Sequence, residues 1–198
     1  MALASEQGFP QWLAVGMHAR GWVLAMQGQG EEGMAQMRQA LATWWGMGAG
    51  TIISYFLALL AEAYGQAGQA EEGLRLLAEA RAHVDTTGER YFAAEVYRLK
   101  GELLLRQTIP DETQAETCLH QALDIARHQQ AKSWELRVAL SLSRLWQRQG
   151  KRAEAQRMLA EIYGWFTEGF DTVDLQEAKV LLEELKASTQ GQSAQESR

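Results

Sequence analysis

Two ladders of small residues, with a rung about every forty positions, constrain this chain more than any other feature. Gly33, Gly73, Ala115 and Ala155 are separated by 40, 42 and 40 positions. Gly21, Ala61, Gly101 and Ser143 run about twelve residues ahead of them, separated by 40, 40 and 42. The two extra residues move from one interval to the next, which places an insertion inside the third repeat, around 107–113. Two markers keeping step over four repeats point to a stack of helical hairpins. Gly inside a helix costs about 1 kcal/mol relative to Ala, so Gly21 and Gly101 in mid-helix need a compensating close approach of helices. The expected packing sets small residues against larger ones that follow a turn later: Leu24, Tyr64, Leu104 and Trp146 after the leading ladder, and Met37, Leu77, Leu119 and Leu159 after the trailing one.

Each repeat reads as a helix A, a short turn and a helix B. The expected pairs are 10–27 with 31–45, 51–66 with 70–85, 90–107 with 112–129, and 132–149 with 152–166. The turns fall where breakers cluster: Gly28-Gln29-Gly30, Ala67-Gly68, Thr108-Ile109-Pro110 and Gln149-Gly150. A last B helix leaves one apolar side uncovered, so a terminal cap is needed. A helix over 172–187 supplies it, with Asp171 or Thr172 as N-cap, Asp174 in the first turn, and Val173, Ala178, Leu181, Leu182 and Leu185 inward. Trp165, Phe166 and Phe170 are expected beneath this helix. The organisation is therefore one domain over 1–187, with repeats at 9–46, 51–87, 90–129 and 131–166 and a disordered tail over 188–198.

Composition narrows the function classes. The net charge of −6 argues against nucleic acid, whose binding rests on clustered Lys and Arg. The opening residues carry no basic start or apolar run, so they are not a signal peptide. No stretch approaches a membrane span, and the single cysteine, Cys118, makes no internal disulfide. A cytoplasmic protein without membrane contact is expected. The literal GxGxxG at Gly28–Gly33 follows a helix rather than a strand, carries Glu31 and Glu32 where phosphate would lie, and repeats as Gly68-Gln-Ala-Glu-Glu-Gly73; it reads as a turn. Gly150-Lys151 lacks the other positions of a phosphate loop. Cys118 and His120 point to different sides of one helix, and the four histidines show no ligand spacing. No cofactor, metal or catalytic residue is expected.

The small and large positions together resemble the tetratricopeptide repeat. In that pattern Gly21, Ala61, Gly101 and Ser143 take the first small position, Gly33, Gly73, Ala115 and Ala155 the second, and Ala40, Ala80 and Ala122 the last. The period is near forty rather than thirty-four, the first-helix Trp and the terminal Pro are absent, and Ile162 replaces the fourth Ala. The carboxy end, with Ala131-Lys-Ser-Trp-Glu-Leu-Arg137, Gln149-Gly-Lys-Arg-Ala-Glu-Ala155 and Tyr163-Gly-Trp-Phe-Thr-Glu-Gly-Phe-Asp-Thr172, resembles the terminal repeats of multidomain bacterial signalling proteins. In those, a nucleotide cyclase or kinase domain and a STAND-type ATPase precede the repeats. The resemblance implies an all-α, right-handed superhelix of about four antiparallel helix pairs plus a C-terminal capping helix. It implies a non-catalytic scaffold or sensor module, with ATPase or cyclase domains upstream of residue 1.

In tetratricopeptide arrays the A helices line a concave groove that takes a peptide or partner domain. Carried onto this chain, the groove residues are His18 and Trp22 in the first repeat, Tyr55 and Glu62 in the second, Arg98, Glu102 and Arg106 in the third, and Arg137, Arg144 and Arg148 in the fourth. The arginines make a local basic patch able to hold a carboxylate or an acidic peptide. Alternatively they belong to a solvated network in which Glu95–Arg98 and Glu102–Arg106 pair and Glu102 reaches Arg144. A second functional class is a structural or regulatory subunit that self-associates through an exposed first hairpin bearing Trp12, Trp44 and Trp45.

Overall fold

A computed structural model describes residues 2–48 and 50–195, with the side chains of Ala2, Ser5 and 188–195 excepted. The described residues contain helices and turns, with no strand among them. They form two compact units, Met1–Asp111 and Glu112–Arg198. In the first, a short helix α1 (Ala2–Glu6) precedes the hairpin α2 (Pro10–Met26) and α3 (Gly30–Gly46). The hairpin α4 (Ile53–Gln66) and α5 (Ala70–Thr87) follows, and then α6 (Ala93–Leu105). In the second, α7 (Glu112–His128) is followed by the hairpin α8 (Lys132–Arg148) and α9 (Arg152–Tyr163), and by α10 (Val173–Gln195). The division between the units falls inside the third repeat, in the stretch where the ladders place the insertion.

The helix boundaries follow from turn chemistry. Gly28 sits at φ +89°, a left-handed conformation that a β-carbon disfavours. It closes α2 with two bonds, Gln29 N–H to Leu24 C=O at 2.9 Å and Gly28 N–H to Ala25 C=O at 3.2 Å. This is a Schellman ending, and it recurs at Gly68 and Gly150 with the same pair of bonds. The apparent dinucleotide motif is thus a helix stop followed by a helix start. Gln130, at φ +54°, ends α7 in the same way without a glycine.

All eight ladder residues are buried, and within hairpins they face each other. A β-carbon built on Gly21 would lie 2.6 Å from the Gly33 carbonyl oxygen and 2.8 Å from Met37 Cγ. One on Gly73 would lie 2.9 Å from the Ala61 carbonyl oxygen. In the second unit the Ser143 hydroxyl donates to the Ala155 carbonyl at 3.4 Å. The contact is therefore small against small, backbone to backbone, with the larger side chain beside it. This sharpens the small-against-large expectation: a flat crossing lets two helix backbones come closer than any pair of side chains allows. The following A helix fills the remaining notch, since Leu103 of α6 lies against both Gly65 and Gly73.

Several expectations change. Trp44 is buried, its indole N–H donating to the Thr51 carbonyl at 2.8 Å, because it packs against Phe56 at 5.6 Å between ring centres; only Trp12 and Trp45 of that trio are exposed. Trp165 and Phe170 are 59% and 48% exposed rather than covered, and so is Val173 at 67%. The inner face of α10 is instead Leu175, Ala178, Leu181, Leu182 and Leu185, all on one side of a helix that packs on α8 and α9. The Thr172 hydroxyl donates to the Gly169 carbonyl at 2.7 Å, so it closes the preceding turn. The helix also runs on to Gln195, through most of the segment for which disorder was expected. That segment has no proline, and extending a formed helix costs far less than nucleating one. Residues 196–198 of the expected tail lie outside the described residues.

Candidate functional site

The forty-residue register puts equivalent positions of α2, α4 and α6 into rows, and the rows differ sharply in burial. His18, Ala58 and Arg98 form one row, all buried. Trp22, Glu62 and Glu102 form the next, each half-buried. The two rows are bound into one polar chain. The Trp22 indole N–H donates to Glu62 Oε2 at 2.8 Å, and Glu62 Oε1 lies 3.9 Å from Arg98 Nη2. Arg98 then grips Glu95 through two parallel bonds of 2.7 Å each and donates to Glu102 Oε1 at 2.6 Å. The spacing Glu95, Arg98, Glu102 along α6 makes this possible, because residues three and four apart share a helix face.

The electrostatics follow from burial. Arg98 is 5% exposed and Glu95 3%. Burial is the largest single influence on the Arg98 guanidinium and would weaken its hold on the proton. The fields of Glu95, Glu102 and Glu62, with the Glu95 hydrogen bonds, outweigh it and raise its pKa above the ordinary range. Arg98 is thus consumed by carboxylates, and the expectation of a basic groove at this position is corrected. Its charge is enclosed by three acids, and only one arginine among the expected residues of this unit, Arg106, is exposed. Tyr55 packs against Phe92, 4.4 Å between ring centres, and stays half-buried. Burial, then the nearby Glu62 carboxylate, raises its phenol pKa.

His18 is also corrected as a groove residue. It is 1% exposed, stacked on Phe56 at 4.0 Å with the rings 12° from parallel, and its Nε2–H donates to the Phe56 carbonyl at 3.0 Å. Nδ1 is buried with no hydrogen-bond partner among the described residues. Desolvation therefore dominates and lowers the imidazole pKa from 6.5 to about 4, against the smaller opposing effect of the Phe56 bond. The folded state keeps this ring neutral while the unfolded state protonates it below pH 6.5. Between about pH 6.5 and 4 the unfolded chain binds the extra proton, so stability falls as pH falls through that window. At about 1.4 kcal/mol per pH unit, the gap amounts to roughly 3 kcal/mol by pH 4. Urea titrations at pH 7, 5.5 and 4.5 should show this loss, and His18→Phe should shed its share of the pH dependence. An equal pH dependence in His18→Phe would refute the assignment.

In the second unit the expected residues lie on α8. Arg137 is half-buried, its guanidinium 5.4 Å from the centre of the Trp134 ring. Arg144 donates to Glu177 of α10 at 2.6 Å, both side chains being nearly half exposed. Arg148 is exposed. Two further acids anchor this unit and were not singled out by the sequence. Glu135 is buried and accepts from Arg127 at 3.0 Å and Lys132 at 2.7 Å. Glu116 accepts from the Trp146 indole at 2.6 Å and from Lys151 at 3.2 Å. Burial would raise both carboxyl pKa values, but these hydrogen bonds and cations lower them instead. Trp146 and Glu116 are thirty residues apart on facing helices, a pairing that no local spacing signals.

Cys118 is buried, and no group of three or more His, Cys, Asp or Glu able to hold a metal ion occurs among the described residues. No described helix is long and apolar enough to cross a membrane. What the site offers is a set of half-exposed aromatic and charged side chains fixed by hydrogen bonds and ion pairs, several of them buried.

Among solved structures the chain is similar to the nearly identical TPR-like repeats of a kinesin light chain-like protein from Podosopora anserina. The match has 20% identity and a TM-score of 0.66, covering 94% of this chain and 92% of that one. The Q17M form of the same protein matches at 19% identity and a TM-score of 0.66, covering 94% and 91%. No family model matches the chain, and no curated protein does. The likeness establishes the fold as an all-α, tetratricopeptide-like repeat.

Proposed function

We propose that this chain is a non-catalytic protein–protein interaction scaffold of a bacterial signalling system, holding a peptide or partner domain against its A helices. The tetratricopeptide-like fold supports the scaffold class. The resemblance of the carboxy-terminal repeats to those of cyclase and STAND-type ATPase proteins supports the signalling setting, and makes such ATPase or cyclase domains candidate partners. The observation that carries the reading is the Trp22–Glu62–Arg98 chain, which fixes Trp22, Glu62 and Glu102 as a half-exposed row across successive A helices. Side chains already ordered lose less entropy on binding. The chemistry of the two units differs. The first presents carboxylates with Trp22 and Tyr55, suited to a Lys- or Arg-bearing segment; α8 presents Arg137, Arg144 and Arg148, suited to acidic residues.

The test is a pull-down with the intact chain, identification of the partner, and titration of that partner against two double variants. Trp22→Ala with Tyr55→Ala, and Arg137→Glu with Arg144→Glu, should each weaken binding by about tenfold or more while the helical circular dichroism stays unchanged. Undiminished affinity in both variants would discard the A-helix reading.

A further inference from the structure

Within each unit, an A helix that follows a hairpin is covered by the B helix before it: α3 packs on α4, α5 on α6, and α7 on α8. Among the described residues, α2 is the A helix without such a cover. The forty-residue register equates Ala19 and Val23 of α2 with Leu59 and Ala63 of α4, and with Leu99 and Leu103 of α6. Ala63, Leu99 and Leu103 are no more than 2% exposed, whereas Val23 is 44% exposed and Trp12, eleven residues earlier on α2, is 68% exposed. Ala19 is exposed between them.

Leu103 shows what such a position receives. Its side chain occupies a notch formed by Gly65 at the end of α4 and Gly73 in the first turns of α5, where a β-carbon on Gly73 would come within 2.6 Å of it. Val23 is the corresponding knob on α2, with no notch over it. The segment immediately before α2 does not supply one. Helix α1 is five residues long, and Leu3 on it and Phe9 before α2 are themselves exposed, at 69% and 54%. Arg20 lies exposed on the same helix, and the B helices α3 and α5 open with Glu31-Glu32 and Glu71-Glu72 just ahead of the glycine that makes the crossing.

We propose that this face of α2 docks an amphipathic helix of a partner protein, one that opens with acidic residues, carries Gly or Ala where it crosses Val23, and continues with an apolar stripe. That occupant continues the interface already repeated in α3 on α4 and α5 on α6, and its acidic first turn complements Arg20. A second copy of this chain is not that partner. Its B helices have their stripes buried (Met37, Leu41 and Trp44 in α3, Leu76, Leu77 and Val84 in α5), and α2 against α2 would set knob on knob.

The probe is a peptide copying residues 70–87, held helical by a side-chain staple and titrated into the intact chain. It should bind; Val23→Glu in the chain should weaken binding about tenfold or more, and Gly73→Leu in the peptide should abolish it. Val23 is exposed, so the variant's circular dichroism and melting curve should match those of the parent. Absence of binding, or binding indifferent to Val23→Glu, would overturn the proposal. So would a dimer in light scattering that Val23→Glu dissolves, which would give the face to a second copy. The partner titration with Arg137→Glu and Arg144→Glu fails or succeeds separately, because those residues lie on α8 and not on this face.

Discussion

Arg98→Met should destabilise the unit Met1–Asp111 by about 3–5 kcal/mol at pH 7, the range for removing one partner of a buried ion pair. Glu95 is 3% exposed and held by two bonds from the guanidinium. A thioether of similar length fills the space but leaves the carboxylate in low dielectric without those donors. The expected loss is larger than the lost attraction, because the desolvation of Glu95 is then compensated less. The double variant Arg98→Met with Glu95→Leu should recover most of the stability, since an apolar pair of similar volume pays no such penalty. Urea unfolding of the intact chain measures both. A single-variant cost below about 1 kcal/mol, typical of an exposed pair, would show that the cluster is solvated.

Gly21→Ala is the second large effect, and its sign is informative. In an uncrowded helix the added methyl stabilises by about 1 kcal/mol. Here it would lie 2.6 Å from the Gly33 carbonyl oxygen and 3.1 Å from the Met37 amide nitrogen. These are backbone atoms of α3, so relief requires the two helices to separate and not merely a rotamer change. Overpacking of this kind costs about 1–3 kcal/mol, and the backbone origin of the clash puts Gly21→Ala toward the upper end. Gly46, at the last residue of α3, has nothing within 4 Å of a built β-carbon, so Gly46→Ala should behave as propensity alone dictates.

The hairpins were legible because two signals coincide in the sequence. The ladders fix the register, and Gly28, Gly68 and Gly150 fix the A–B turns through backbone conformations that glycine adopts most easily. The site was legible only in part. Row membership follows from the period, so Trp22, Glu62 and Glu102 could be grouped from sequence. Which row points outward depends on how far α2, α4 and α6 rotate against one another, and periodicity does not encode that angle. His18 consequently reads as a surface histidine until Phe56 is seen stacked on it. Ala58 in the same row was the available hint, since a small residue between His18 and Arg98 signals close approach. Arg98 illustrates a different limit. Its pairing with Glu95 was visible in the i, i+3 spacing, but burial turns a weak surface pair into an enclosed cluster. Trp165 and Phe170 mislead in the other direction: aromatic residues before a capping helix invite a buried assignment, yet the helix meets α8 and α9 through its leucines.

The backbone-to-backbone crossing is tested most directly by paired unfolding midpoints of Gly21→Ala and Gly46→Ala in the intact chain. The crossing requires Gly21→Ala to melt roughly 5–10 °C below the parent while Gly46→Ala melts at or slightly above it. Equal or greater stability in Gly21→Ala would contradict it, because helix propensity would then be the only effect at that position.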